Sequence, residues 1–251
     1  MKINAYLLAI LFTASGFFSV HAEEDVNRES SRNTATVQSS RLADCGNTAA
    51  QAELNINNVR TTIQVGGDLW WDFANPKYQI PKVDPGEEER HSIFAGSIWL
   101  GGLDAGGNLK LGAQTYRQGG ANDFFAGPLR ADGTTDVENC NEFDQHWEVL
   151  ASDIDAFVAD FGDGVLDDPV PASILEWPAK GNPNVLAEFR DNDLAPFWDE
   201  DGDGNYNPSV GDYPILQLSA EGEPVLGDQM IWWVWNDAGG LHTETAAQAI
   251  G

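Results

Sequence analysis

A mainly β fold, sandwich-like with one short helix and long loops, is predicted by three observations. Short runs of strand-forming residues alternate with polar ones, clusters of Gly, Asn, Asp and Pro separate those runs, and one segment alone carries a helical period. Nine Trp, twelve Phe and 42% hydrophobic residues supply a core that a disordered chain of this charge would lack.

The chain opens MKINAYLLAILFTASGFFSVHA, with one early lysine, an apolar run and small residues before Glu23. This is the pattern of a secretory signal peptide over 1–22, with cleavage expected after Ala22. The alternative, an uncleaved membrane helix, is disfavoured because the apolar run falls short of the ~20 residues a span needs. Residues 23–41 are polar, rich in Ser and Thr, and read as a flexible linker. The remaining 42–251 is expected to form the β-rich domain, with no membrane span in the mature chain.

Within it, Ala49–Leu54 is read as a helical turn, and Val59, Thr61, Ile63 and Val65 alternate with polar residues as a strand stopped by Gly66-Gly67. In SIFAGSIWLGGLDAGGNLKLGAQTYR, two apolar runs flank Asp104–Asn108 and predict a hairpin. Leu109, Leu111 and Ala113 share one face of its return strand, with Lys110 on the other, so one side should be solvated. Ile154, Phe157, Val158 and Phe161 follow i, i+3, i+4, i+7 and predict one helix over 152–161, started by Ser152 and Asp155 and stopped by Gly162. From Pro169 to Pro214 the chain is a long loop region that needs something other than ladder hydrogen bonds to hold it. Strand signals return at 215–218 and in QMIWWVWND.

Forty acidic against thirteen basic residues give a net charge of −27. Such a field repels nucleic acid and anionic membranes and concentrates cations. Cys45 and Cys140 are the only cysteines; an exported chain in an oxidising compartment should join them, the alternative being two buried thiols.

The acidic stretch WDEDGDGNYNPSVGDYP fits a cation best. Counting from Asp199, Asp201 and Asp203 stand at positions 3 and 5, Gly204 at 6, Asn205 at 7 and Asn207 at 9, the first half of an EF-hand-like calcium loop. Three carboxylates at alternate positions turn toward one point and repel one another without a cation. Position 12 is Val210, however, and the next acid is Asp212, two places late. The expected ligands over 199–212 are Asp199, Asp201, Asp203, Asn205, Asn207 and Asp212, with Ca²⁺ as the ion and a structural role, since no amphipathic helices flank the loop. The competing reading is a solvated acidic turn. Asp160, Asp163, Asp167 and Asp168 form a weaker second cluster.

Trp232, Trp233 and Trp235 lie on an expected strand, with Trp233 and Trp235 on one face. They could stack on sugar rings, but core and edge packing is the simpler reading and extends to Trp70, Trp71 and Trp99. His91, His146 and His242 are scattered, and neither H-E-x-x-H nor G-x-S-x-G occurs, so catalysis has no address in the sequence.

Four ordered blocks, NINNVRTTIQVGGDLWWD, the hairpin stretch, LAPFWDEDGDGNYNPSVGDYP and GDQMIWWVWND, resemble the N-terminal region of large secreted bacterial proteins exported by the type IX secretion system. The resemblance covers roughly 45–251 and implies a calcium-type loop at Asp199, Asp201, Asp203 and Asp212. It also implies further β-domains and a sorting domain after this region, so the chain is expected to be truncated at its C-terminus. The resulting expectation is a non-enzymatic, calcium-stabilised structural or adhesion module, secreted or on the outer cell surface, with calcium and an extracellular glycan or surface protein as partners. The alternative is a carbohydrate-binding module or an accessory part of a secreted glycan-degrading enzyme.

Overall fold

The computed structural model describes residues 43, 45–113, 116 and 122–240. The expected leader, the linker and His242 lie outside them. Among the described residues the fold is mainly β, with strands in one six-stranded antiparallel sheet and five two-stranded pairs.

The six-stranded sheet is built around β2 (Val59–Gln64), which pairs along its whole length with β1 (Gln51–Ile56). On its other side it meets β3 (Asp68–Leu69) at Ile63 and β4 (Tyr78–Gln79) at Arg60. β5 (His91–Ile93) and β6 (Gly96–Ser97) extend the two ends. The helical turn expected at Ala49–Leu54 is therefore a strand. Its Ala- and Glu-containing sequence favours helix locally, but the ladder to β2 and a turn with Asn57 at φ 51° override that preference. The free edge of β1 is covered by one side chain: Gln229 accepts from the Asn55 N–H at 2.8 Å and donates to the Glu53 carbonyl at 2.9 Å, as a neighbouring peptide would.

β7 (Trp99–Leu103) and β8 (Leu109–Ala113) form the expected hairpin. Its burial does not alternate by face: β7 is exposed along its whole length, whereas β8 runs from Leu109, 56% exposed, to buried Gly112 and Ala113. Trp99, expected to pack, is 63% exposed.

The helix occupies Ala151–Asp160 and continues as a 3₁₀ turn over Phe161–Asp163. Two shorter helices, Val137–Glu142 and Ala172–Leu175, accompany it. Ile154 and Phe157 are buried as the period requires, whereas Val158 is exposed. Ser152 does not cap it: the strand Trp147–Leu150 runs straight into the helix, and the stop is Gly164 at φ 83° in place of Gly162. That strand pairs with Gln229–Trp232, and around both lies the largest core cluster, with Val149, Ile154, Phe157, Ile174, Trp177, Tyr206, Ile215 and Met230.

Buried polar side chains hold the long loop region. The Trp177 indole N–H donates to the Pro196 carbonyl at 2.9 Å, and the Asn182 amide donates to the carbonyls of Leu175 and Trp177 at 2.9 and 2.7 Å. Each replaces a ladder bond that irregular backbone cannot make.

Cys45 and Cys140 form a disulfide, with Cα atoms 6.0 Å apart and a sequence separation of 95. A loop that long stabilises by roughly 4–5 kcal/mol in the chain-entropy account. Both cysteines pack on Phe125, and the Cys45 N–H donates to the Gly239 carbonyl at 2.9 Å. No helix among the described residues is long and apolar enough to cross a membrane.

Candidate metal centre

The aspartate loop starts and ends on a two-residue ladder. Phe197–Trp198 pairs with Tyr213–Pro214, and Trp198 stands opposite Tyr213, their rings stacked at 6.3 Å. Asp199 is the first residue out of that ladder and Asp212 the last before it, so pairing alone brings the two carboxylates to the same end of the loop. Loop numbering made Asp212 look two places late, whereas strand register puts it opposite Asp199.

Asp212 is fully buried. Its Oδ1 accepts from the Glu200 N–H at 2.9 Å and its Oδ2 from the Asn207 N–H at 2.7 Å, closing the loop across its base. Asp199, half-buried, accepts from the N–H groups of Gly202 and Asp203 on Oδ1, at 2.8 and 3.2 Å, and from Gly204 on Oδ2 at 2.9 Å. Asp201 is exposed and accepts one long bond, from the Asp203 N–H at 3.2 Å. Carboxylate oxygens of Asp199, Asp201 and Asp212 all lie within 4.8 Å of one another.

Of the other expected ligands, Asp203 lies outside that converging set of acidic groups. Asp203 accepts from the Asn205 N–H at 2.7 Å, and the Asn205 amide donates to the Asp203 carbonyl at 3.3 Å. The Asn207 side chain caps the 3₁₀ turn Pro208–Val210, accepting from Ser209 N–H and Oγ at 3.1 and 2.6 Å. In the second acidic cluster, Asp160 accepts from the N–H groups of Asp167 and Asp168 at 3.4 and 3.2 Å, and its acids form no converging set of three.

Two anchors fix the loop; sequence reading missed Tyr206 and, although Gly211 reads as a bend that could let Asp212 close the site, missed its contact with Phe161. Tyr206 is buried, its hydroxyl donating to the Ile174 carbonyl at 2.6 Å and its ring meeting Phe197 edge-on at 5.4 Å. A single aromatic between two asparagines in an acidic loop was the available signal. Gly211, at φ 103°, lies against Phe161: a Cβ there would come within 2.4 Å of the ring. No other residue type satisfies both that contact and that backbone angle.

Electrostatics single out Asp212. Burial pushes its pKa up; the N–H groups of Asn207 and Glu200 oppose this, and the charges of Asp199 and Asp201 add to it. Burial, then the Asp212 charge, likewise pushes the Tyr206 hydroxyl far above its usual range. No Lys, Arg or His among the described residues forms an ion pair with any of the three converging aspartates. The group fits a hard cation: oxygens at ~2.3–2.6 Å from one calcium can be up to about 5 Å apart.

The tryptophans do not make a shared platform. The strand breaks after Trp232, and Trp232, Trp233 and Trp235 are each half-buried in different places. Trp232 meets Trp147, Trp233 packs against the cluster of Val65, Phe143 and Phe189 beside His146, and Trp235 lies 4.3 Å from Phe124. No protein-family model, curated protein or solved structure matches the chain.

Proposed function

We propose that this chain is a non-enzymatic structural or adhesion module of an exported protein, stabilised by one calcium ion in the loop 199–212. The observation that carries the reading is the convergence of Asp199, Asp201 and Asp212 within 4.8 Å, with burial and like charge raising the pKa of Asp212. Three carboxylates held together by backbone pairing, without a basic neighbour, gain most from a divalent cation. The four ordered sequence blocks support export of the type IX kind, to the medium or the outer cell surface, and the disulfide suits an oxidising compartment.

With Kd ~10 µM and millimolar free calcium, mass action contributes about 2.7 kcal/mol to stability. Calorimetric unfolding of the metal-stripped chain with and without calcium tests this, and an unchanged Tm would sink the proposal. Asp201→Asn is the informative variant, because Asp201 is exposed and makes one long hydrogen bond in the fold. It should unfold like the unsubstituted chain in EGTA and lose most of the calcium response.

A further inference from the structure

We propose that a cleft beside Trp147, outside the aspartate loop, receives a primary ammonium group carried on an apolar stem, as a lysine side chain or an alkyl diamine presents it. The cleft measures about 260 Å³, and Glu142, Gln145, Trp147, Glu176 and Asn184 are among its lining residues. No Lys, Arg or His lines it.

Both glutamates stand at the ends of short helices. Glu142 is the last residue of Val137–Glu142, and Glu176 is the C-cap of Ala172–Leu175; neither helix has a basic residue in its last turn. Neither glutamate has an ion-pair partner among the described residues. The amides reinforce this. Gln145 donates its Nε2 to the Glu142 carbonyl at 2.8 Å, and Asn184 donates its Nδ2 to the Leu175 carbonyl at 3.2 Å, which leaves the amide oxygens as acceptors.

The wall is the Trp147 indole, half-buried and fixed by ring contacts to Phe143 at 5.8 Å and Trp232 at 5.4 Å. An indole, two carboxylates without an ion-pair partner among the described residues and two amide oxygens ask for a ligand with donors and positive charge. An ammonium has three donors and no acceptor, and is attracted to an indole face. A neutral sugar would bring no counter-charge to the two carboxylates, and an anion would be repelled. A bare metal ion needs converging ligands, and the only converging set of three or more acidic, His or Cys groups among the described residues is Asp199, Asp201 and Asp212.

The test is calorimetric titration of the full chain in saturating calcium, with the Trp147 indole resonance as site reporter. The probes are Nα-acetyl-lysine methylamide and 1,5-diaminopentane, with the norleucine analogue and methyl glucoside as controls. Both amines should bind, more weakly at high salt, and shift the Trp147 signal; the tighter of the two identifies a protein lysine or a free diamine as the source. The E142Q/E176Q double variant, altered only at exposed side chains, should bind at least ~tenfold more weakly while melting normally. Equal binding of the norleucine probe, salt-independent binding of the glucoside, unchanged affinity in the double variant, or no response at ~50 mM amine would each overturn the proposal.

Discussion

Asp104 and Asp212 each organise a loop by accepting backbone N–H groups, yet their acidities move in opposite directions. At the hairpin tip, Asp104 Oδ1 accepts from the N–H groups of Gly106 and Asn108, both at 2.9 Å, and the Asn108 amide reaches Oδ2 at 3.0 Å. The Asn108 side chain, then its N–H, hold the Asp104 pKa below the usual range, with Gly106 and the Lys110 charge adding to this. Asp212 also accepts two short backbone bonds, but burial and the charges of Asp199 and Asp201 prevail and raise its pKa. Donors therefore do not decide the matter. An aspartate in water with a lysine nearby completes its own turn; a buried one beside two others is left needing positive charge.

The strongest way to break this comparison is Asp212→Ala. It leaves the N–H groups of Glu200 and Asn207 without their acceptor at the base of the loop, and should cost about 2–4 kcal/mol in urea unfolding even in EGTA. Next in size is the calcium response itself. Chelation should lower stability by about 2–3 kcal/mol in the unsubstituted chain and far less in Asp201→Asn, by calorimetry.

The pH dependence sharpens the contrast because the signs oppose. The folded pKa of Asp212 lies above the unfolded value of 3.8, so in EGTA its contribution is fully present below that value and is lost as pH rises through the folded pKa. The folded pKa of Asp104 lies below 3.8, so its contribution is present above that value and is lost as pH falls through the folded pKa. Denaturant titrations in EGTA should show the stability gap to Asp212→Ala widening on acidification and the gap to Asp104→Ala closing. Two gaps moving the same way would refute the assignment. With calcium present the first trend should reverse, since a bound ion would favour the ionised carboxylate. The smallest effect is Asp104→Ala at neutral pH, a Tm change of at most ~2 °C with no calcium dependence.

What the sequence disclosed follows from how each element is stabilised. The Trp99–Ala113 hairpin and the helix around Ile154 and Phe157 were readable because each carries its own periodicity and turn residues. The strand Gln51–Ile56 was misread because its partner strand overrides its local preference. In the acidic loop Asp199, Asp201 and Asp212 were all legible as candidate ligands, and the register that sets Asp212 opposite Asp199 was not. Tyr213–Pro214 is a two-residue strand, too short to show a period, and it is that strand that delivers Asp212 to Asp199. The cleft at Trp147 joins two helix ends about thirty residues apart in sequence, neither of which has a side-chain pattern long enough to announce it.

The bond from Cys45 to the Gly239 carbonyl has a mechanical meaning. The two ends of the described fold lie side by side, with Gly239 and Gly240 pressed on the same Phe125 that packs against the disulfide. A pull on the two ends of the described fold would therefore load the one locus that the disulfide already braces.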